Sequence, residues 1–307
     1  MLKVIIDTDI GDDIDDAFAL LCALANPEFD ILGITTVFKN TPQRAKIVKD
    51  ILKSVGREDI PVFAGIEVPL TGNVIKWDYE NYGSDGKVRV HHYREDMSDY
   101  TYNEGSAVDF ILETAKKYPN EVTLIALAPF TNIGEAFKKD PKAFALLKEA
   151  YIMAGQPFTE YAEWNVRVDP YSAKTFFESG IDITCYPLNV TTKCKLYEKE
   201  IERVYSIENP AVKNVANMMR VWIESNNPSG ELKRYPTMHD PLCVIGVTKP
   251  EVCSYEQMEV KVITEEGQDF GKTKKLSGGA LMKIATEVNV DAFFEGYFTA
   301  LEKIMIK

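Results

Sequence analysis

Short β-branched runs alternate with longer amphipathic stretches from the N-terminus to about residue 190, and this alternation restricts the fold more than any other feature of the chain. Strands separated by helix-length segments form βαβ units and a parallel sheet. The strand candidates are Lys3 to Asp7, Ile31 to Val37, Val62 to Ala64, Val122 to Leu127, Ala150 to Met153 and Ile183 to Pro187, each closed by polar, Gly or Pro residues. Asp15 to Ala25, Pro42 to Val55, Ser106 to Tyr118 and Pro170 to Ser179 carry apolar residues three and four positions apart and read as helices. Residues 66 to 104, rich in Tyr, Asp, Gly and Asn, break the rhythm and read as a long loop over a site. Beyond residue 195 the pattern turns helical, with Glu198 to Tyr205 and Ala211 to Ser225 as helices. Gln257 to Thr264 followed by Gly267 to Lys275 reads as an antiparallel hairpin, and Asp291 to Ile306 as a closing helix. The length of 307 residues does not itself choose between one domain and two, but no repeat or low-complexity linker divides the chain. The expected fold is therefore α/β: a single domain over 1–307, with a mostly parallel central sheet flanked by helices, an added antiparallel hairpin and C-terminal helices.

Charge narrows the partners. Against 47 Asp and Glu stand 35 Lys and Arg, a formal net charge of -12, which argues against nucleic acid because its binders present clustered Lys and Arg to phosphates. The densest basic stretch, Lys272 to Lys275, holds only three lysines and reads as a solvated turn. The longest apolar run, Ala17 to Ala25, is well short of the roughly 20 residues of a membrane helix. Asp7 cuts off the apolar Val4 to Ile6 before an export region can form. Five cysteines, at positions 22, 185, 194, 243 and 253, form no CxxC pair, which fits free thiols in a reducing compartment and a cytoplasmic protein.

Half of the acidic excess sits in ten residues. Asp7 to Asp16, DTDIGDDIDD, contains six aspartates and no Lys or Arg. Two carboxylates about 4 Å apart repel by roughly 4 kcal/mol at an effective dielectric of 20, so several converging at a strand end call for a cation. Hard oxygen donors select Ca²⁺ or Mg²⁺ over zinc or copper. Part of the cluster also has a local explanation, because Asp15 and Asp16 open a helix whose N-terminal dipole favours carboxylates. Polar residues just after a strand of an open α/β sheet are functional candidates by position alone.

DTDIGDDIDDAFAL after the first strand resembles the N-terminal signature of the inosine-uridine-preferring nucleoside hydrolases, Ca²⁺ enzymes that cleave the N-glycosidic bond of ribonucleosides. Further matching blocks follow in order: VFKN at Val37 to Asn40, LAPFTNI at Leu127 to Ile133, AEWN at Ala162 to Asn165 followed by Asp169 and Pro170, and MHDP at Met238 to Pro241. The resemblance spans nearly the whole chain. It implies that Asp9 is both a calcium ligand and the base that activates water, that Asp16 and Asp240 are further carboxylate ligands, and that the backbone carbonyl of Leu127 is another metal oxygen. It also implies that Asp15, Asn40, Glu163 and Asn165 bind ribose hydroxyls and that His239 serves the leaving base. A small-molecule nucleoside substrate, a role in nucleoside salvage and a homodimer or homotetramer follow from the same resemblance.

The residue types suit that chemistry. Breaking an N-glycosidic bond builds oxocarbenium character on the ribose, which carboxylate and amide oxygens stabilise, and the departing base needs a proton or a hydrogen bond. Three departures bear on the site. Asp12, Asp13 and Ile14 separate Gly11 from Asp15 where the signature usually has one residue, so Asp12 or Asp13 stands as an alternative to Asp15 or Asp16. Lys39 replaces the usual Gly before Asn40. Tyr82 stands where a base-side loop His is common, and Pro157 or Gln156 where an Asn is, which leaves nucleobase preference open. Glu163 and Asn165 alternate along what reads as an extended stretch, and Trp77, Trp164, Tyr79, Tyr82 and Tyr93 are candidates to stack on a base. Two other readings fit parts of the sequence: a nucleoside- or ribose-binding protein without turnover, and a haloacid dehalogenase-type phosphatase suggested by Asp7, Thr8 and Asp9. The phosphatase motif wants Thr or Val at the position of Gly11.

Overall fold

A computed structural model describes residues 1–72, 81–82 and 86–306. Among these residues the strands are β1 Leu2–Thr8, β2 Phe29–Thr36, β3 Val62–Ala64, β4 Asn81–Tyr82, β5 Val88–Arg89, β6 Val122–Ala126, β7 Glu149–Met153, β8 Ile183–Tyr186, β9 Cys253–Val262, β10 Thr273–Lys275 and β11 Ala280–Val288. The helices are α1 Asp15–Ala25, α2 Thr41–Ser54, α3 Ala107–Lys117, α4 Thr131–Lys139, α5 Pro141–Phe144, α6 Trp164–Val168, α7 Pro170–Phe177, α8 Leu188–Thr191, α9 Glu198–Ser206, α10 Pro210–Asn226, α11 His239–Thr248 and α12 Val290–Lys303. None is long and apolar enough to cross a membrane.

One nine-stranded sheet, in the order β10-β9-β11-β8-β7-β6-β1-β2-β3, organises the described chain, and β4 pairs with β5 separately. The pairs from β3 to β11 are all parallel, and β9 runs against both of its neighbours. Because both faces of a parallel sheet are covered, its central strands need apolar residues on both sides. β1 meets this requirement: Val4 and Ile6 enter one core, Ile5 the other, and all three are buried. α1 is buried from Asp15 through Ala23 and packs against α11 and α12, which explains why it is apolar almost all round.

The C-terminal part differs from the sequence expectation. The expected hairpin is present as β9 and β10, paired Val262 to Thr273, but the longer partner of β9 is β11, inserted between β9 and β8. Its alternation of buried Met282 and Ile284 with more exposed Leu281 and Lys283 is an ordinary strand pattern that the sequence reading left unassigned. Nor is Lys272 to Lys275 a solvated turn. Thr273–Lys275 is the edge strand β10, and Lys272 is buried with its ammonium 2.6 Å from Asp269 and 3.0 Å from Glu160. All five cysteines are free and buried.

The chain leaves β1 toward β2 and β3 on one side of the sheet, then returns to β6, β7 and β8 on the other. The loops after β1 and β6 therefore diverge and open a crevice at the carboxyl ends of these neighbouring strands, the usual place for a ligand in such a sheet.

Candidate active site

The crevice holds a cavity of about 280 Å³ lined by eight of the nine predicted site residues: Asp9, Asp15, Asp16, Leu127, Glu163, Asn165, His239 and Asp240. Asp9 follows β1, and Leu127 follows β6, where its N–H donates to the carbonyl of Asp7 at 2.9 Å. Asp15 and Asp16 open α1, while His239 and Asp240 open α11, so two helix N-termini converge on the same carboxylates. The ninth residue, Asn40, lies outside the cavity lining. It caps α2 by accepting from the Gln43 N–H at 3.2 Å and donates to the Val88 carbonyl at 3.1 Å.

Carboxylate oxygens of Asp15, Asp16 and Asp240 lie within 4.8 Å of one another, all three buried. Burial, then mutual repulsion, holds these carboxyls well above the ordinary carboxylate range, with Asp13 and Asp16 raising Asp15, Asp9 raising Asp16, and Asp15 raising Asp240. Asp9 is pushed up to about 6 by burial, opposed chiefly by Arg44. The local hydrogen bonds are few: Thr8 Oγ1 donates to Asp16 Oδ1, and the Asp240 N–H to Asp15 Oδ2 at 3.2 Å. Buried, mutually repelling oxygen donors with a backbone carbonyl at hand fit a hard divalent cation, which removes the repulsion and accepts six to eight oxygens.

Not every aspartate of the cluster is available. Although the segment itself carries no cation, α2 supplies one: Arg44, fully buried, places Nη2 2.8 Å from Asp12 Oδ2, and Lys39 Nζ lies 3.9 Å from the same oxygen. Arg44 holds the Asp12 carboxyl below its ordinary range despite burial. Asp13 turns back on its own loop, accepting from the Ile14 N–H at 2.7 Å, and still borders the cavity.

Glu163 and Asn165 meet the cavity by a different route from the expected extended stretch. Glu163 is the N-cap of α6, with Oε1 accepting from the Asn165 N–H at 2.9 Å and Oε2 from the Gly155 N–H at 2.8 Å. Burial pushes its carboxyl up to about 7 against the pull of these backbone donors. Asn165 Nδ2 donates to the carbonyls of Leu127 at 3.1 Å and Met153 at 3.0 Å, tying the ends of β6 and β7 together. His239 bonds through Nδ1 to Thr191 Oγ1 at 2.7 Å, which leaves Nε2 as its other polar atom. Burial lowers its pKa to about 4.

The profile of the inosine-uridine preferring nucleoside hydrolase family matches residues 4–295. The chain belongs to this family. It is 32% identical over 271 residues to uridine nucleosidase 1 of Arabidopsis thaliana, covering 86% of this chain and 79% of the relative. It is 31% identical over 280 residues to a pyrimidine-specific ribonucleoside hydrolase of Salmonella paratyphi A, covering 89% and 88%. Among solved structures, the purine-preferring ribonucleoside hydrolase from Gardnerella vaginalis superposes with a TM-score of 0.83 at 25% identity, over 98% of each chain. As a nucleoside hydrolase the protein is an enzyme that splits ribonucleosides into ribose and base.

Several residues of this nucleoside hydrolase site escape a reading of the sequence. Trp222, Asn226 and Arg234 line the cavity, with the Arg234 guanidinium 5.5 Å from the centre of the Trp222 ring. Of the stacking candidates, Trp164 borders the cavity, Tyr82 is exposed outside the lining, Tyr93 packs against the core, and Trp77 and Tyr79 lie outside the described residues. Arg44 had a legible signal: it shares the buried face of α2 with Thr41, Ala45, Val48 and Ile51, and an arginine there demands a buried counter-ion.

Proposed function

We propose that this nucleoside hydrolase acts on ribonucleosides with Ca²⁺ as cofactor, Asp9 as the general base and His239 at the leaving base. The observation that carries the reading is the convergence of Asp9, Asp15, Asp16 and Asp240 with Leu127 on one cavity. Asp9, Asp16, Asp240 and the Leu127 carbonyl would hold the ion, with Asp15 directed to the ribose hydroxyls. Bound there, calcium would gather sugar hydroxyls and water and make the water easier to deprotonate.

The protein side of the mechanism follows from the donors present. Asp9 takes a proton from the attacking water as the C1′–N bond breaks and the bonding pair leaves with the base. Glu163 and Asn165 border the ribose end and oppose developing positive charge with fixed oxygens. If the Thr191 hydroxyl donates to Nδ1, the neutral His239 carries its proton on Nε2 and offers a hydrogen bond to the departing base. Asn40, which braces the β2–α2 turn through Gln43 and Val88, keeps a second Nδ2 hydrogen, and its proposed role is to direct it to a ribose hydroxyl. We further infer one domain over 1–307, a cytoplasmic location consistent with five free thiols, and a homodimer or homotetramer. Light scattering reads the last of these.

The phosphatase alternative requires Asp7 as a nucleophile. Asp7 is fully buried beneath the cavity, with Oδ1 held by Thr35 Oγ1 and Asn132 Nδ2, so it presents no such group. The test of the proposal is a panel of natural ribonucleosides with calcium and with chelator, scored for free ribose. Calcium-dependent release is expected. Thermal stabilisation by ribose analogues without any release would favour the binding-only reading.

A further inference from the structure

We infer that Arg44 and Asp12 form a positioning pair that fixes the loop carrying Asp9, and that Asp12 is thereby kept out of the metal's coordination sphere. The inference rests on the proposed role of Asp9. Arg44 lies on α2, yet all its acceptors belong to two loops, the β1–α1 loop that borders the cavity and the β2–α2 turn. Nε donates to the Phe38 carbonyl at 2.8 Å, Nη1 to the carbonyls of Asp9 and of Ile10, the latter at 2.8 Å, and Nη2 to Asp12 Oδ2 at 2.8 Å. One rigid fork thus spans the β1–α1 loop and the β2–α2 turn.

Both loops need the restraint. Gly11 has φ +120°, and Phe38 and Lys39 hold φ +70° and +59°, conformations that residues with a Cβ adopt only when their surroundings impose them. A fully buried guanidinium also requires a counter-ion, because an uncompensated charge there is strongly unfavourable. Asp12 supplies it from the extra residues between Gly11 and Asp15. Its Oδ2 also faces Lys39 at 3.9 Å, and its Oδ1 lies 3.5 Å from the His91 N–H, so both oxygens have protein partners although Asp12 borders the cavity.

A lysine at position 44 keeps the charge but not the planar fork, and cannot hold four acceptors in fixed directions. The test measures calcium affinity by calorimetry, kcat and KM on a ribonucleoside turned over by the wild type, and melting temperature, for Arg44→Lys, Asp12→Asn and Asp16→Asn. Arg44→Lys is expected to lower kcat by about tenfold or more with KM changed by less than about threefold, the signature of a displaced catalytic group and not of lost substrate binding. Asp12→Asn is expected to keep calcium affinity within about threefold of wild type, while Asp16→Asn loses about 100-fold or more. Wild-type kcat in folded Arg44→Lys, or a calcium loss in Asp12→Asn equal to that in Asp16→Asn, overturns the inference. Should Arg44→Lys fail to fold, Asp12→Asn decides it: a fall in kcat at retained calcium affinity supports the pair, and an unchanged kcat refutes it. A wild type inactive on every ribonucleoside would refute the proposed function itself, and the calcium comparison would still report where Asp12 points.

Discussion

The backbone N–H of Asp240 donates to Oδ2 of Asp15 over 3.2 Å, joining residues 225 positions apart in the chain. Through this contact the N-terminus of α11 abuts that of α1, and both helix dipoles point positive ends at one group of carboxylates. The site is therefore complete only when the C-terminal third has packed onto the first βα unit. Even with two dipoles, burial and repulsion keep Asp15, Asp16 and Asp240 hard to ionise.

Replacing one of these carboxylates should weaken calcium binding and, without the ion, strengthen the fold. Asp240→Asn is expected to lose about 100-fold or more in calcium affinity by calorimetry, since a ligand charge is removed. In chelator at pH 8 it should melt above the wild type, because a repelling buried charge has gone. A lower melting temperature than wild type in chelator would count against repulsion as the dominant force in the cluster.

The same charges give stability a pH dependence. Asp9 is raised to about 6, Glu163 to about 7, and Asp15, Asp16 and Asp240 well above the ordinary value. A carboxyl whose folded pKa is raised contributes stability that is full below its unfolded value, near 4, and lost as pH climbs through the folded value. The metal-free protein should melt progressively lower from pH 5 to pH 8, and calcium should raise the melting temperature more at pH 8 than at pH 5. A flat or rising profile in chelator would show that the carboxylates are compensated by other groups.

Gly11 can be tested by packing alone. An added Cβ would lie 2.3 Å from Val90 Cγ1 and 2.7 Å from Ile47 Cδ1, on a backbone with φ +120°. Gly11→Ala should cost about 1–3 kcal/mol or more by urea denaturation, from overpacking and strain together. Gly72→Ala, at φ +69° with nothing within 4 Å, carries the strain without the clash and should cost less. Equal losses would mean that the contact with Val90 and Ile47 relaxes freely.

His239 should matter in proportion to how much help the leaving group needs. His239→Ala is expected to lower kcat on natural nucleosides by about 10²-fold, the usual scale for a lost proton donor or acceptor, while sparing a nitrophenyl riboside. Equal slowing of both substrates would leave His239 a structural neighbour of Thr191.

Much of the fold could be read from periodicity. The helix Asp15–Ala25 and the strand Val62–Ala64 have the bounds expected from the pattern, because each is short, strongly patterned and closed by turn residues. β11 is harder to read although Met282 and Ile284 alternate as a strand should, since Lys, Thr and Glu dilute its apolar character. For Glu163 and Asn165 the motif is legible but the local geometry is not: two alternating polar residues look extended, yet Glu163 folds its carboxylate over the first N–H groups of α6. The aspartate cluster declared a charge problem but not its partition. Arg44, 32 residues beyond Asp12, decides which of the six carboxylates are neutralised by protein. The cavity wall of Trp222, Asn226 and Arg234 is joined to the rest by tertiary packing with no local signature.

The central claim is that Asp9 performs the chemistry of this site, and the most direct measurement is ribose release from ribonucleosides by Asp9→Ala at saturating calcium, with bound calcium determined on the same samples. The account predicts calcium-dependent release by the wild type and a loss of about 10³-fold or more in the variant even when the ion is bound. A metal-loaded Asp9→Ala enzyme working within about tenfold of wild type would contradict it, because the general base would then have to be another group.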